Sequence, residues 1–265
     1  MIADSISSRR AGSANGCRST GVPRFFSPAP IGADKAGTVI GLDESAAHHA
    51  TRVLRLAAGD ALTLFDGTGG EFDATLERVD RRGATVRVLR FLPDVERESP
   101  LALTLAQGIA ANDAMDSAIR RATELGVTSI QPLVTVRSSP LRRGEHADKR
   151  LLHWRQVAIA ACEQCGRNRI PEVALPLPFA DWVREWVGSG ILFVPGARES
   201  LATIPRRAAP LALLIGPEGG FDPREVAAAQ TKGFDAVGLG PRVLRTETAA
   251  AAALALAQAL WGDLR

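Results

Sequence analysis

Two apolar stretches that both end on glycine–proline constrain this chain most. Leu211–Ile215 runs into Gly216-Pro217-Glu218-Gly219-Gly220, and Ala236–Leu239 runs into Gly240-Pro241-Arg242. Short apolar runs that stop at such breakers read as buried strands followed by tight loops. Two strands ending alike predict two loops meeting at one edge of a sheet. In open α/β sheets the edge outside the carboxyl ends of the strands is where ligands bind. The second loop continues through Val243-Leu244-Arg245-Thr246-Glu247 into an alanine-rich helix reaching Leu260. The first leads to Asp222-Pro223-Arg224-Glu225, in which aspartate caps, proline takes the first helical position and glutamate closes a capping box. Glycines between a strand end and a helix start let backbone approach a ligand closely.

The remainder divides into two patterns. Residues 1–21 are Ser/Gly/Arg-rich without periodicity and read as a disordered extension. Residues 22–92 read mostly as short strands. Ala61–Phe65 alternates, Asp66–Gly70 turns, Glu71–Val79 returns, Arg81-Arg82-Gly83 turns again and Ala84–Phe91 follows. This predicts a small β-barrel. One helical insert, Ser45–Arg55, places Arg52 and Arg55 three apart and so on one face, either a solvated surface or a phosphate contact. Residues 93–100, charged and proline-bounded, read as an interdomain linker. From 101 to 265 strands and helices alternate: strands at Leu101–Ala106, Thr128–Val134 and Ile191–Val194, helices around Met115–Leu125 and Leu151–Cys165. That rhythm predicts an α/β domain, a mostly parallel sheet with helices on both faces. The Arg137–Arg150 segment reads as a basic loop.

Several chemistries are absent from the sequence. No phosphate-binding G-x-x-x-x-G-K-[ST], no G-x-G-x-x-G after a strand, no H-E-x-x-H and no G-x-S-x-G occurs. Cys162-Glu163-Gln164-Cys165 lacks the second ligand pair that zinc requires, so no metal site is expected. Three cysteines without a secretory pattern fit a reduced cytoplasm, and no apolar run is long enough to span a bilayer. The formal net charge of +3 does not announce a nucleic-acid binder, so any RNA surface must come from local clustering. What remains is a pair of glycine–proline loops with apolar neighbours. They suit a ligand with an adenine and a zwitterionic tail better than a triphosphate.

Thr123-Glu124-Leu125-Gly126-Val127, Ala161-Cys162-Glu163-Gln164-Cys165-Gly166-Arg167, Leu214–Gly220 and Leu239–Ala249 together resemble the RsmE family. So do Pro23-Arg24-Phe25-Phe26, His49–Arg55 and Phe65-Asp66-Gly67, so that the resemblance runs from residue 22 to the end. The resemblance implies a SPOUT methyltransferase that uses S-adenosyl-L-methionine to methylate N3 of one uridine in the 16S rRNA of the small ribosomal subunit. It also implies a PUA-like RNA-binding barrel, a deep trefoil knot in the second domain and a cytoplasmic homodimer. Carried over position by position, Val194, Pro195, Leu214, Ile215, Gly216, Gly220, Leu239, Gly240, Val243 and Leu244 would hold the cofactor. Arg245 would orient the uracil or its phosphate and stabilise developing charge, and Glu247 is a candidate proton acceptor. Arg245 could instead brace the loop by pairing with Glu247 or Glu218. Arg24, His49, Arg52, Arg55, Arg137 and Arg167 are the candidate RNA contacts. The family usually has a lysine where this chain has Ala114, so Arg120 or Arg121 would have to supply that cation. Two other readings share the fold: a methyltransferase acting on another RNA, and a non-catalytic RNA-binding assembly factor.

Overall fold

The computed structural model describes residues 21–80, 83–139, 145–206 and 208–264. The extension at 1–20 and the Arg81-Arg82 turn lie outside them.

The first part is a five-stranded sheet. It comprises β1 (Arg24–Phe26), β2 (Val39–Gly41), β3 (Ala61–Phe65), β4 (Glu71–Asp80) and β5 (Gly83–Leu92), ordered β1-β3-β4-β5-β2. β1 runs parallel to β3 and the other pairs are antiparallel. Alternation sends Phe72, Ala74 and Leu76 of β4 inward with Val86 and Val88 of β5. The helix α1 (Glu44–His48) lays Ala46 and Ala47 on that core, and a π-helical turn at His49–Val53 adds Ala50. Arg55 then leaves in a left-handed conformation, φ 56°. Arg52 and Arg55 therefore do not share a helix face, because the helix ends between them.

The second part is an all-parallel sheet. Its strands are β6 (Leu103–Gly108), β7 (Ser129–Val134), β8 (Glu172–Val173), β9 (Leu177–Pro178), β10 (Ser189–Phe193), β11 (Leu211–Ile215) and β12 (Asp235–Val237). The order is β12-β10-β11-β6-β7-β8, with β9 also on β7. Its helices are α2 (Asn112–Glu124), α3 (Glu145–Cys165), α4 (Phe179–Glu185), α5 (Pro223–Thr231) and α6 (Thr246–Trp261).

Every residue of β11 is buried, because both faces of the sheet are covered. Leu211, Leu213 and Ile215 pack with residues of α2, α3 and α6, whereas Ala212 and Leu214 pack with Phe179, Trp182 and Ala229 of α4 and α5. A leucine buried so completely contributes about 1.5–3 kcal/mol. α2 stops where Gly126 adopts φ 76° and its N–H bonds the Thr123 carbonyl at 3.1 Å. α3 begins at Glu145, before the expected Leu151; residues 140–144 of the basic loop lie outside the described residues. The chain builds outward from β6 to β7 and β8, then returns to the other side of β6 with β10, β11 and β12. The reversal falls between β6 and β11, where such sheets bind ligands.

The two sheets meet along α3. Glu163 accepts the Phe26 N–H of β1 at 3.0 Å. Burial raises the Glu163 pKa above the ordinary glutamate value, with Asp43 adding to the rise while the Phe26 N–H, His49 and Arg24 oppose it. A carboxyl whose pKa is higher folded than unfolded takes up protons on folding. Its contribution is therefore present at low pH and is lost as pH rises from the ordinary value through the raised one. Glu163→Gln keeps an acceptor for Phe26 and removes the charge. Calorimetry should show a higher Tm than the parent at about pH 8 and a smaller gain at about pH 5.

Candidate functional site

The loops that follow β6, β10, β11 and β12 surround one cleft of about 810 Å³ at the carboxyl edge of the parallel sheet. That is within the range of small-molecule sites, roughly 300–1,000 Å³. Its floor and walls are apolar: Phe193, Val194, Ile215, Phe221, Val226 and Leu244. Charge is confined to a few side chains, Asp113, Arg137, Glu218, Arg245 and Glu247.

A buried polar node joins three of the cleft's walls. Gln107, fully buried in β6, donates from Nε2 to the Gly108 carbonyl and to Thr246 Oγ1, each at 2.9 Å. Thr246 Oγ1 in turn donates to the Gly216 carbonyl at 2.6 Å. The end of β6, the loop after β11 and the start of α6 are thus tied together. The Gly216–Gly220 loop is gripped further along. Glu218 accepts the Ala111 N–H at 2.7 Å, at the start of α2. Arg137 donates to the Gly219 carbonyl at 2.9 Å and lies 3.8 Å from Asp222. The predicted capping box forms: Asp222 accepts the Arg224 N–H, and Glu225 Oε2 accepts the Asp222 N–H. The other oxygen of Glu225, a buried residue, accepts the Val136 N–H at 2.9 Å, fastening α5 to the end of β7.

Two glycines are set by proximity. A Cβ on Gly108 would lie 2.5 Å from Pro217 Cδ and 2.7 Å from its nitrogen, so β6 and the loop touch backbone to backbone. A Cβ on Gly216 would lie 3.1 Å from Gly220 and Phe221 backbone atoms. Gly240 differs. It adopts φ 80° with open space around it, so its glycine is required by conformation rather than by a close neighbour.

Of the positions expected to hold a cofactor, Val194, Pro195, Ile215, Gly216, Gly220, Val243 and Leu244 line the cleft together. Leu214, Leu239 and Gly240 do not. Strand alternation turns Leu214 into the opposite core, Leu239 packs against the core beneath α2 and α6, and Gly240 sits on the exposed turn beyond. Arg245 and Glu247 both line the cleft. Arg245 is exposed and its guanidinium makes no hydrogen bond or ion pair with any described residue, so the bracing pair with Glu247 or Glu218 is not formed. Ala114 also lines the cleft; neither Arg120 nor Arg121 does, and Arg121 instead donates to the Glu247 carbonyl at 3.3 Å. Among the described residues, the cations at the cleft are Arg137 and Arg245.

The candidate RNA contacts separate. Arg52 is exposed beside a hollow between α1 and the β4–β5 pair, while Arg55 sits exposed past the helix end. His49 stands edge-on to Phe25 at 5.8 Å. Arg24 and Arg167 are both engaged within the chain. Arg167 is 5% exposed and spends its guanidinium on Glu98 and the Thr123 carbonyl. Arg24 is bound to Glu71 and Asn168. Nothing local in the sequence marks either arginine as engaged, because their carboxylate partners lie far away along the chain. Cys162 and Cys165 carry free thiols, and burial pushes Cys162 up to about 12, so it is no thiolate nucleophile. Gln107, Gly108 and Thr246 were not singled out as site residues. The available signal was a glutamine and a glycine closing a mostly apolar run, Leu103–Gly108.

Residues 97–258 match a family described as RNA methyltransferase domain, and residues 42–89 match one described as RNA methyltransferase PUA domain. Ribosomal RNA small subunit methyltransferase E of Buchnera aphidicola subsp. Schizaphis graminum (strain Sg) is 34% identical over 229 residues, covering 85% of this chain and 92% of the relative. The enzyme of that name from Neisseria gonorrhoeae, crystallised bound to S-adenosyl methionine, superposes with a TM-score of 0.84 at 34% identity, covering 92% of this chain and 100% of the other. A Legionella pneumophila structure in complex with the bound cofactor SAM gives a TM-score of 0.88 at 39% identity over the same shares.

Gly108→Ala forces backbone apart between the end of β6 and the Gly216–Gly220 loop. It should destabilise the fold by about 1–3 kcal/mol, the usual cost of overpacking, read as a lower urea midpoint at unchanged m.

Proposed function

The chain belongs to the ribosomal RNA small subunit methyltransferase E family, and from that premise we propose that it methylates N3 of a uridine in 16S rRNA with S-adenosyl-L-methionine as methyl donor. The observation that carries the site assignment is the meeting of the Gly216–Gly220 and Val243–Glu247 segments around one apolar cleft, with an arginine at it whose guanidinium has no partner among the described residues.

The residues present fit the donor. Gly216 and Gly220 bring bare backbone to the cleft, Ile215, Val226 and Leu244 offer an apolar seat for an adenine, and the charged side chains offer partners for a zwitterionic tail. When bound, S-adenosyl-L-methionine supplies a methyl group already activated by its sulfonium. The protein then has two tasks: to hold N3 in line with that methyl and to favour loss of the N3 proton. Arg245 serves the first. Its guanidinium is free of described partners, can donate to a uracil oxygen or the adjoining phosphate, and stabilises the negative charge that grows on the base. Glu247, half-buried in the first turn of α6 and lining the same cleft, is the proposed acceptor of the N3 proton. Val194, Pro195, Ile215, Gly216, Gly220, Val243 and Leu244 form the cofactor side, with Leu239 and Gly240 shaping the loop that carries Val243.

The five-stranded sheet is the proposed RNA platform, with Arg52 and Arg55 as exposed cations on it and Arg137 as the cation beside the cleft. Val243, 81% exposed, and Leu256 and Leu260 along α6 are apolar surface that a second copy would cover, which supports a homodimer. A knotted path for the segment between β12 and α6 belongs to the same proposal, as does a cytoplasmic location, where ribosomal RNA is found.

Mass spectrometry of rRNA nucleosides from cells with and without the gene tests the reaction. N3-methyluridine should disappear from small-subunit RNA on deletion, and its persistence would remove the assignment. Arg245→Ala should lower kcat by roughly 10²-fold with cofactor affinity retained, as for loss of one transition-state donor. A rate like the parent's would leave Arg245 without the proposed role.

A further inference from the structure

The segment that joins the two sheets is not a loose tether. Its three consecutive charged residues are each used, and each bonds a different place on the seam. Glu96 Oε1 accepts the Gly70 N–H at 3.1 Å and lies 3.7 Å from Arg169. Arg97 donates to the Gly166 carbonyl at 2.9 Å and to Glu71 at 3.3 Å. Glu98 takes Arg167 through one oxygen, at 2.9 and 2.5 Å, and through the other accepts the N–H groups of Asn168 and Arg169. Asn168, fully buried, accepts from Arg24 at 2.6 Å and donates to the Val95 carbonyl. Gly166, at φ 89°, leaves room for Arg97, whose Cδ a Cβ would meet at 3.2 Å.

We propose that this seam is a positioning device that fixes the five-stranded sheet against the cleft so that RNA held on the sheet presents one base to the methyl donor. The inference rests on the proposed function for its purpose, not for its geometry. Two features distinguish it from ordinary packing. Buried ion pairs contribute little net stability against apolar contacts, whereas their hydrogen bonds fix direction. The Arg167–Glu98 and Arg24–Glu71 pairs at the centre of the seam are of this kind, while Glu96 and Arg97 bond at its exposed edge, so the seam holds an angle rather than merely holding two surfaces together. The bonds also reach the site. Arg167 grips the Thr123 carbonyl at one end of α2, and the other end of that helix, Ala111–Ser117, lines the cleft. Thirteen helical residues carry the constraint across roughly 20 Å.

Arg97→Ala and Glu98→Gln test the proposal in the full chain with small ribosomal subunits as substrate. Arg97 is the milder site, because Glu71 keeps Arg24 as partner when Arg97 is lost. Both variants should raise KM for RNA at least about tenfold, leave the calorimetric Kd for S-adenosyl-L-methionine within about twofold, and move kcat less than KM. Arg97→Lys, which keeps the charge and a donor, should restore most of the loss. Small-angle scattering without RNA should show a wider spread of dimensions for Arg97→Ala than for the parent. An unchanged KM in the folded variants, or a KM and a cofactor Kd that worsen in parallel, would overturn the device. If the parent binds cofactor yet methylates no small-subunit RNA, the proposed function fails by itself. The scattering comparison then still decides the seam, unchanged dimensions counting against it.

Discussion

A glutamine buried where an apolar residue would be expected ties together the chain segments around the cleft. Gln107 Nε2 reaches Gly108 and Thr246, Thr246 reaches Gly216, and three chain segments far apart in sequence are held at hydrogen-bond distance. Gln107 Oε1 has no partner among the described residues. An unpartnered buried carbonyl costs about 1–3 kcal/mol, so the amide is an expensive choice unless the geometry it fixes is worth more than packing. What it fixes is the spacing between the end of β6 and the two loops on which the proposed cofactor site depends. Gly108 completes the arrangement, since any side chain there would push Pro217 away.

Much of this was legible in the sequence. The strands Ala61–Phe65 and Leu211–Ile215 fell where alternation and an apolar run placed them, and Asp222-Pro223-Arg224-Glu225 formed the cap it spelled. Local signals suffice where local physics decides. The strand β1 was missed because three residues paired in parallel with β3 carry no periodicity of their own. The strands β8 and β9, two residues each, were missed for the same reason. The cleft was legible as two loops of one kind, and seven of the ten positions carried over from family resemblance line it. The Leu214 side chain turns into the opposite core, because a two-residue period sends alternate side chains of a strand to opposite faces.

The arginines were the least legible part, and the reason is chemical. A guanidinium that binds phosphate and one that binds an internal carboxylate look the same in sequence. Arg24 and Glu71 are 47 positions apart, and Arg167 and Glu98 are 69 apart. Nothing local links them, and only the folded chain shows that both cations are already engaged. The same distances make the seam informative. Short-range pairs would stabilise an element, whereas these hold two sheets in one orientation, and the Glu96-Arg97-Glu98 run within the segment read as a linker is bonded along its length.

Arg245 stands apart from these by a departure from local preference. It occupies the N-cap of α6 with extended backbone angles, and its side chain caps nothing. Serine, threonine, aspartate and asparagine are preferred there, and a cap side chain is worth about 1 kcal/mol. A threonine lies one position on, but its hydroxyl is committed to Gly216 across the cleft rather than to the helix. α6 thus begins without the side-chain bond that α1 and α5 both have from Asp43 and Asp222. Arg137, the other cation at the cleft, is spent on Gly219 and lies near Asp222. A helix that forgoes its cap while placing an uncommitted guanidinium beside an apolar cleft gives up stability at the position where a substrate with growing negative charge would supply the missing partner.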